Sequence, residues 1–113
     1  MKTDNVLQMT GLAMKAGKVV SGEFMTESAV KSQSAYLVMI AQDVSENTRK
    51  KFRNMCEFYE VPLREYSTKE ELGHSLGKEF RASLAVTDEG FAQAIMKKMD
   101  YEVIGTYGKN ENI

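Results

Sequence analysis

The stretch 35-AYLVMIA-41 is apolar throughout except for the hydroxyl of Tyr36. It is too short for a helix of ordinary length, and it lacks the polar alternation of a strand with one wet face. A short continuous apolar run of this kind reads as a strand buried on both faces, the state of a central strand between helices. Everything around it has to supply those covering layers.

Before it, 17-GKVVSGEFMTESAVKS-32 holds a short strand, Lys18 to Val20, followed by a helix that opens near Gly22. Ahead of that, "TDNVLQMTGLAMKAG" reads as a helix, with Thr3 or Asp4 as cap, Val6, Met9 and Ala13 on one stripe, and Gly17 as its stop. After the central strand, "SENTRKKFRNMCEFYE" is a helix that Ser45 can cap, with Phe52, Met55, Cys56 and Tyr59 on one face. "VPLREY" is a strand whose Pro62 places it at an edge or a strand start. "TKEELGHSL" is a short helix in which Thr68 and Glu71 match the capping box. "ASLAV" is a second buried strand. "DEGFAQAIMKKM" is the last helix. Thr87 is its expected cap, with acids Asp88 and Glu89 at the positive end and Lys97 and Lys98 at the negative end. Strands alternating with helices define an α/β fold, a three-layer α/β/α sandwich with a central sheet of about four strands. Residues 1–99 form one domain. Residues 100–113 form a polar C-terminal tail, whose first residues could pair and whose end is expected to fray.

The totals narrow the classes. The chain has 113 residues, with 15 Lys+Arg against 16 Asp+Glu, a net charge of −1. Nucleic-acid-binding domains are usually basic, so any such role rests on a local patch. No apolar run approaches a membrane span, and "MKTDNVLQ" has an acid and no apolar segment of a signal peptide. The single cysteine, Cys56, excludes an internal disulfide. A soluble cytoplasmic protein is expected.

Signs of catalysis are absent. The one histidine, His74, sits in a short amphipathic helix, and Cys56 sits on an apolar helix face where it reads as a small hydrophobe. There is no phosphate loop, no dinucleotide fingerprint and no Cys/His cluster for zinc. No enzyme, cofactor or metal is expected. Eight methionines fall mostly on apolar stripes and read as core filling.

Three loops carry binding chemistry. With Phe24 at zero on a helical wheel, Met25, Thr26, Ala29 and Val30 gather opposite as the core stripe. Phe24 faces outward with Ser28 and Lys31. It either packs on a neighbouring loop or contacts a base or a partner side chain. A helix start presents free N–H groups that suit a phosphate, and Gly22 lets a backbone come close. The second loop, 76-LGKEFRAS-83, puts Gly77, Lys78, Phe80 and Arg81 together. Cations and an aromatic in one loop fit a nucleic-acid contact, or an ordinary turn with Phe80 buried. The third, 41-AQDVSEN-47, follows the central strand, where open α/β sheets often bind ligands.

These loops in this order resemble the kink-turn RNA-binding ribosomal proteins of the L-seven-Ae and L-thirty-e type, most nearly the small bacterial branch called YlxQ. The resemblance spans Val6 to Met99 and rests on "GLAMKAGKVVSGE", "AYLVMIAQDVSENTRKKF", "CEFYEVP" and "KEELGHSLGKEFRASLAVTDEGFA". It implies a three-layer sandwich that binds bent, structured RNA without catalysis, in association with the ribosome. It implies RNA contacts at the strand-to-helix junction (Lys18, Ser21, Gly22, Glu23, Phe24), at the loop before the last strand (Lys78, Phe80, Arg81), and at Gln42 and Asp43 after the central strand. Strong kink-turn binders carry Gly-x-Asn-Glu-x-x-Lys at the junction. Here Asn is replaced by Phe24, Glu by Met25 and Lys by Ser28, and Lys31, one turn on, is the substitute cation. Partners are therefore expected to be ribosomal or other structured RNA, with ribosome or translation-factor proteins, and the chain is expected to be a monomer away from membranes. A protein-interaction module on the same fold is the alternative.

Overall fold

The computed structural model describes residues 4–111, with side chains described through Asp100. Helices and strands alternate among the described residues: α1 (Asn5–Lys15), β1 (Val19–Ser21), α2 (Glu23–Lys31), β2 (Leu37–Ile40), α3 (Glu46–Tyr59), β3 (Leu63–Glu65), α4 (Lys69–Ser75), β4 (Ser83–Val86) and α5 (Glu89–Glu111). The sheet order is β1-β4-β2-β3. β4 runs antiparallel to both β1 and β2, and β3 runs parallel to β2.

Every residue of β2 and β4 is buried. Because side chains alternate along a strand, the two central strands split into two cores. Leu37, Met39, Leu84 and Val86 face α1, α4 and α5, which contribute Val6, Ala13, Leu72, Leu76, Ala92 and Ile95. Val38, Ile40 and Ala85 face α2 and α3, which contribute Ala29, Val30, Phe52 and Cys56. This is the expected three-layer α/β/α sandwich. Pro62 falls just before the edge strand β3, where its missing N–H leaves no gap inside the sheet.

Local chemistry sets the element ends. The Leu7 N–H donates to Asp4 Oδ1 at 2.9 Å, so Asp4 caps α1; Thr3, the other candidate, lies outside the described residues. Ser45 accepts from the Thr48 N–H at 3.2 Å and Thr68 from the Glu71 N–H at 3.1 Å. The capping box forms by half, since the Glu71 carboxylate accepts the Ser67 hydroxyl instead. The cap of α5 is Asp88, not Thr87: Asp88 Oδ2 accepts the Phe91 N–H at 2.8 Å. Thr87 is still bound to the sheet, its N–H donating to the Lys18 carbonyl. The α2 stripe also differs from expectation. Thr26, Ala29 and Val30 are buried, but Met25 is 47% exposed. On a helical wheel it lies about 90° from the centre of the other three, at the margin of the buried face. The α5 backbone continues past Met99 to Glu111. Residues 100–111 therefore extend the last helix, where a separate tail able to pair was expected.

Phe52 is fully buried between α3 and the sheet, whereas Phe24 is 80% exposed. Phe52→Ala is expected to cost about 3–5 kcal/mol. Phe24→Ala should change stability by less than about 0.5 kcal/mol. Urea unfolding followed by far-UV circular dichroism measures both, and comparable losses would contradict this assignment of the core.

Candidate nucleic-acid interface

Strand direction brings four connections to one end of the sheet. Since β4 is antiparallel to β1 and β2, its first residues lie beside their last ones: Ser21 faces Leu84, and Ile40 faces Ser83. The parallel strand β3 ends there too, with Glu65 opposite Ile40. Backbone bonds stitch the loops together. The Gly22 N–H donates to the Ser83 carbonyl at 2.9 Å, Ala41 to Ala82 at 2.9 Å, and Gln42 to Ser67 at 2.8 Å.

At the β1–α2 junction, Gly22 has φ 94° and ψ 156°, a conformation that essentially only glycine adopts. The glycine is therefore set by backbone shape. It also leaves the first turn of α2 without a side-chain cap, whereas Asp4, Ser45, Thr68 and Asp88 cap the other four helices. Phe24 projects from that uncapped turn. Beneath it, the buried hydroxyls of Thr26 and Ser83 meet at 3.2 Å and tie the turn to β4. The Glu23 carboxylate reaches across to α3, where Lys51 Nζ binds Glu23 Oε2 and Glu27 Oε1, each at 2.9 Å. Lys31 Nζ takes the other Glu27 oxygen at 2.8 Å. Hydrogen bonds from Lys31 and then Lys51 lower the Glu27 carboxyl from 4.5 to about 2. The carboxylates of Glu23 and Glu27 in turn raise the Lys51 ammonium.

The loop before β4 is clamped to α4 and to the junction. The Lys78 N–H donates to the Gly73 carbonyl at 2.8 Å and the Arg81 N–H to the Lys69 carbonyl at 3.0 Å. Gly73 makes this approach possible: a Cβ there would stand 1.2 Å from the Glu79 carbonyl oxygen. Arg81 Nε donates to Ser21 Oγ at 3.0 Å and Arg81 Nη1 to the Phe80 carbonyl at 2.8 Å. Phe80 itself is 66% exposed, so the loop is not a turn built over a buried ring.

Nine of the expected residues share this end: Ser21, Gly22, Glu23, Phe24, Gln42, Asp43, Lys78, Phe80 and Arg81. Asp43 has structural work there, since its Oδ1 accepts the Lys69 N–H at 2.9 Å at the start of α4. Lys18 and Lys31 are not brought to it. Lys18 directly precedes β1 at the opposite end, beside Thr87. Lys31 closes α2, about 12 Å along the helix from Glu23, and its ammonium is held by Glu27. The sequence reading missed Lys51, which fixes Glu23, and Gly73, which seats the loop. A glycine in mid-helix was the available signal for the second; pairing between α2 and α3 left none for the first. Away from this end, Cys56 is buried and desolvation pushes its thiol up to about 11, while His74 is exposed.

A helix start and a clamped loop lie at one end of a mixed sheet, each presenting a phenylalanine. The sequence matches the Ribosomal protein L7Ae/L30e/S12e/Gadd45 family over residues 4–96, and the chain belongs to that family. It is 41% identical over 92 residues to the RNA-binding protein YlxQ of Bacillus subtilis (strain 168), a match covering 81% of this chain and 92% of that protein. It is 38% identical over 87 residues to the RNA-binding protein YlxQ of Enterococcus faecium, covering 77% and 84%. Among solved structures it is similar to a protein of unknown function from Bacillus halodurans C, with a TM-score of 0.84 and 28% identity over 87% of this chain and 99% of that one. The fold is shared with the Giardia lamblia 15.5kD RNA binding protein, at a TM-score of 0.71 and 14% identity, covering 89% and 90%.

Gly73→Ala should push the Lys78–Arg81 loop off α4, at a cost of about 1–3 kcal/mol. Limited trypsin digestion should then cut at Lys78 or Arg81 faster than in the parent; an unchanged cleavage rate would mean that the clamp is not needed. Glu27 gives a pH test. Its carboxyl titrates near 4.5 when free and near 2 when folded, so its contribution is complete above 4.5 and fades as pH falls toward 2. In Glu27→Gln the acid-induced loss of stability across that window should be shallower, as read by urea midpoints at successive pH values.

Proposed function

We propose that this chain is a non-catalytic, ribosome-associated RNA-binding protein that holds structured, kink-turn-like RNA against the uncapped start of α2 and the loop before β4. The observation that carries the reading is the Arg81–Ser21 bond, which joins two loops that each present an exposed phenylalanine. A loop ordered before binding loses less entropy when RNA arrives. Phe24 and Phe80 offer faces for unstacked bases. The open N–H groups of α2, the Lys78 ammonium and the Arg81 guanidinium offer sites for phosphates. The family and the names of its YlxQ relatives support RNA as the ligand. The same reading takes residues 1–99 as the working domain, acting as a monomer in the cytoplasm beside ribosomal or translation-factor proteins. Among the described residues no helix is long and apolar enough to cross a membrane.

The engaged charges set the salt dependence. With Lys18 and Lys31 away from this end, about two phosphates are neutralised, so raising salt from about 50 to about 200 mM should weaken binding only about tenfold. Met25 favours a second reading, a partner protein on the same patch, since its exposure adds apolar surface where the strong kink-turn binders of the sequence comparison carry a glutamate. A gel shift with a kink-turn RNA and an unrelated hairpin separates the two. Phe24→Ala and Phe80→Ala should each weaken kink-turn binding about 5- to 150-fold, the range of lost base stacking. Lys18→Ala should leave it unchanged. Equal affinity for the hairpin would remove the shape-specific reading, and a partner captured after nuclease treatment through Phe24 would favour the second.

A further inference from the structure

The opposite end of the sheet carries a second aromatic site. Tyr36 enters β2 there, its N–H donating to the Val86 carbonyl at 2.8 Å, on the far side of the sheet from the Ile40–Ser83 pair. The last turn of α3 comes alongside. Between them lies an open pocket of about 530 Å³, lined by Gln33, Tyr36, Phe58, Tyr59, Glu60 and Val61. Phe58 is 78% exposed and Tyr36 46% exposed. The rings of Phe58 and Tyr59 meet edge to face at 4.9 Å.

Among the described residues, the one charged side chain that lines this pocket is Glu60. Glu60 follows α3 as its left-handed cap, and Glu57 lies three residues earlier in the last turn of the helix. Among the described residues neither carboxylate has a hydrogen-bond or ion-pair partner. No Lys or Arg lines the pocket. Lys31, two residues before Gln33, is engaged by Glu27, and Lys18 stands two strands across, about 10 Å away. Gln33 and Glu60 both hold left-handed backbone, at φ 64° and 59°. Glycine is the usual residue at such a position after a helix, so a glutamate there keeps a carboxylate at the rim at some conformational cost.

We infer that this pocket binds an arginine side chain from a basic segment of a partner protein, at the end of the domain away from the proposed RNA face. A guanidinium lies flat on aromatic rings and is weakly hydrated, so it suits the Tyr36–Phe58 walls. Its N–H groups find the open Glu60 carboxylate. The same carboxylate repels phosphate, which makes RNA the wrong occupant. The inference does not depend on what binds the other end.

The test titrates the full chain with a short peptide of alternating glycine and arginine, followed by two-dimensional amide NMR. The control peptide carries citrulline, which keeps the shape and loses the charge. The arginine peptide should shift the Tyr36, Phe58 and Glu60 resonances. The citrulline peptide should bind about fivefold or more weaker. Phe58→Ala, Phe58→Leu and Glu60→Gln should each lower arginine-peptide affinity about threefold or more, while Glu70→Gln on α4 should not. Circular dichroism checks that the variants fold; Phe58→Leu keeps apolar volume while losing the ring. Shifts confined to other acidic surfaces, equal binding of citrulline, or affinity unchanged in Phe58→Leu would each overturn the inference. So would an RNA that displaces the peptide by occupying the same residues.

Discussion

β2 and β4 exchange backbone hydrogen bonds along their full length while helices cover both faces, and the other elements take their places from that pair. Buried N–H and C=O groups have to be paired, so two strands without access to water must lie side by side or beside further strands. β1 and β3 then take the outer edges, where their less buried residues are tolerated. The alternation of side chains on β2 and β4 assigns α1, α4 and α5 to one layer and α2 and α3 to the other. The same antiparallel pairing sends the β1–α2 junction and the loop before β4 to a common end, so the candidate site follows from the packing of the core.

The protein spends much of its surface charge on itself. Lys31 and Lys51 bridge the two acids of α2, and Arg49 is held by Glu46, Glu65 and the Gln42 carbonyl. Arg81 is bonded to Ser21 and to its own neighbour's carbonyl. A net charge of −1 is therefore compatible with a nucleic-acid face, provided that face works through shape and stacking more than through bulk attraction. Phe24, Met25 and Phe80 are exposed apolar side chains at that end, and Tyr36 and Phe58 are exposed at the other.

The fold was legible because its signals are local. Seven apolar residues in a row, caps at Asp4, Ser45 and Thr68, and a proline before β3 each declare an element within a few positions. Thr87 and Met25 were misread for the same reason: a cap can shift by one residue, and the edge of a helical stripe depends on what packs against it. The site was only half legible. Outward-facing Phe24 is visible from periodicity alone. The Lys51 bridge to Glu23 and the clamp of the Arg81 loop join residues distant in sequence, and the placement of Lys18 and Lys31 away from the site depends on strand direction and helix length. Side-chain type suggested these cations; geometry removed them.

The Arg81–Ser21 bond spans 60 residues. On a ribosome adding about 5–20 residues per second, roughly 3–12 s pass between synthesis of the first partner and of the second. During that interval β1 has no strand to pair with, because among the described residues its strand partner in the sheet is β4. The junction at Gly22 thus acquires its shape late, after nearly three quarters of the chain exists. Until β4 is made, β2 and β3 can pair with each other while β1 stands alone, and the end that carries the candidate site is among the last parts to become ordered.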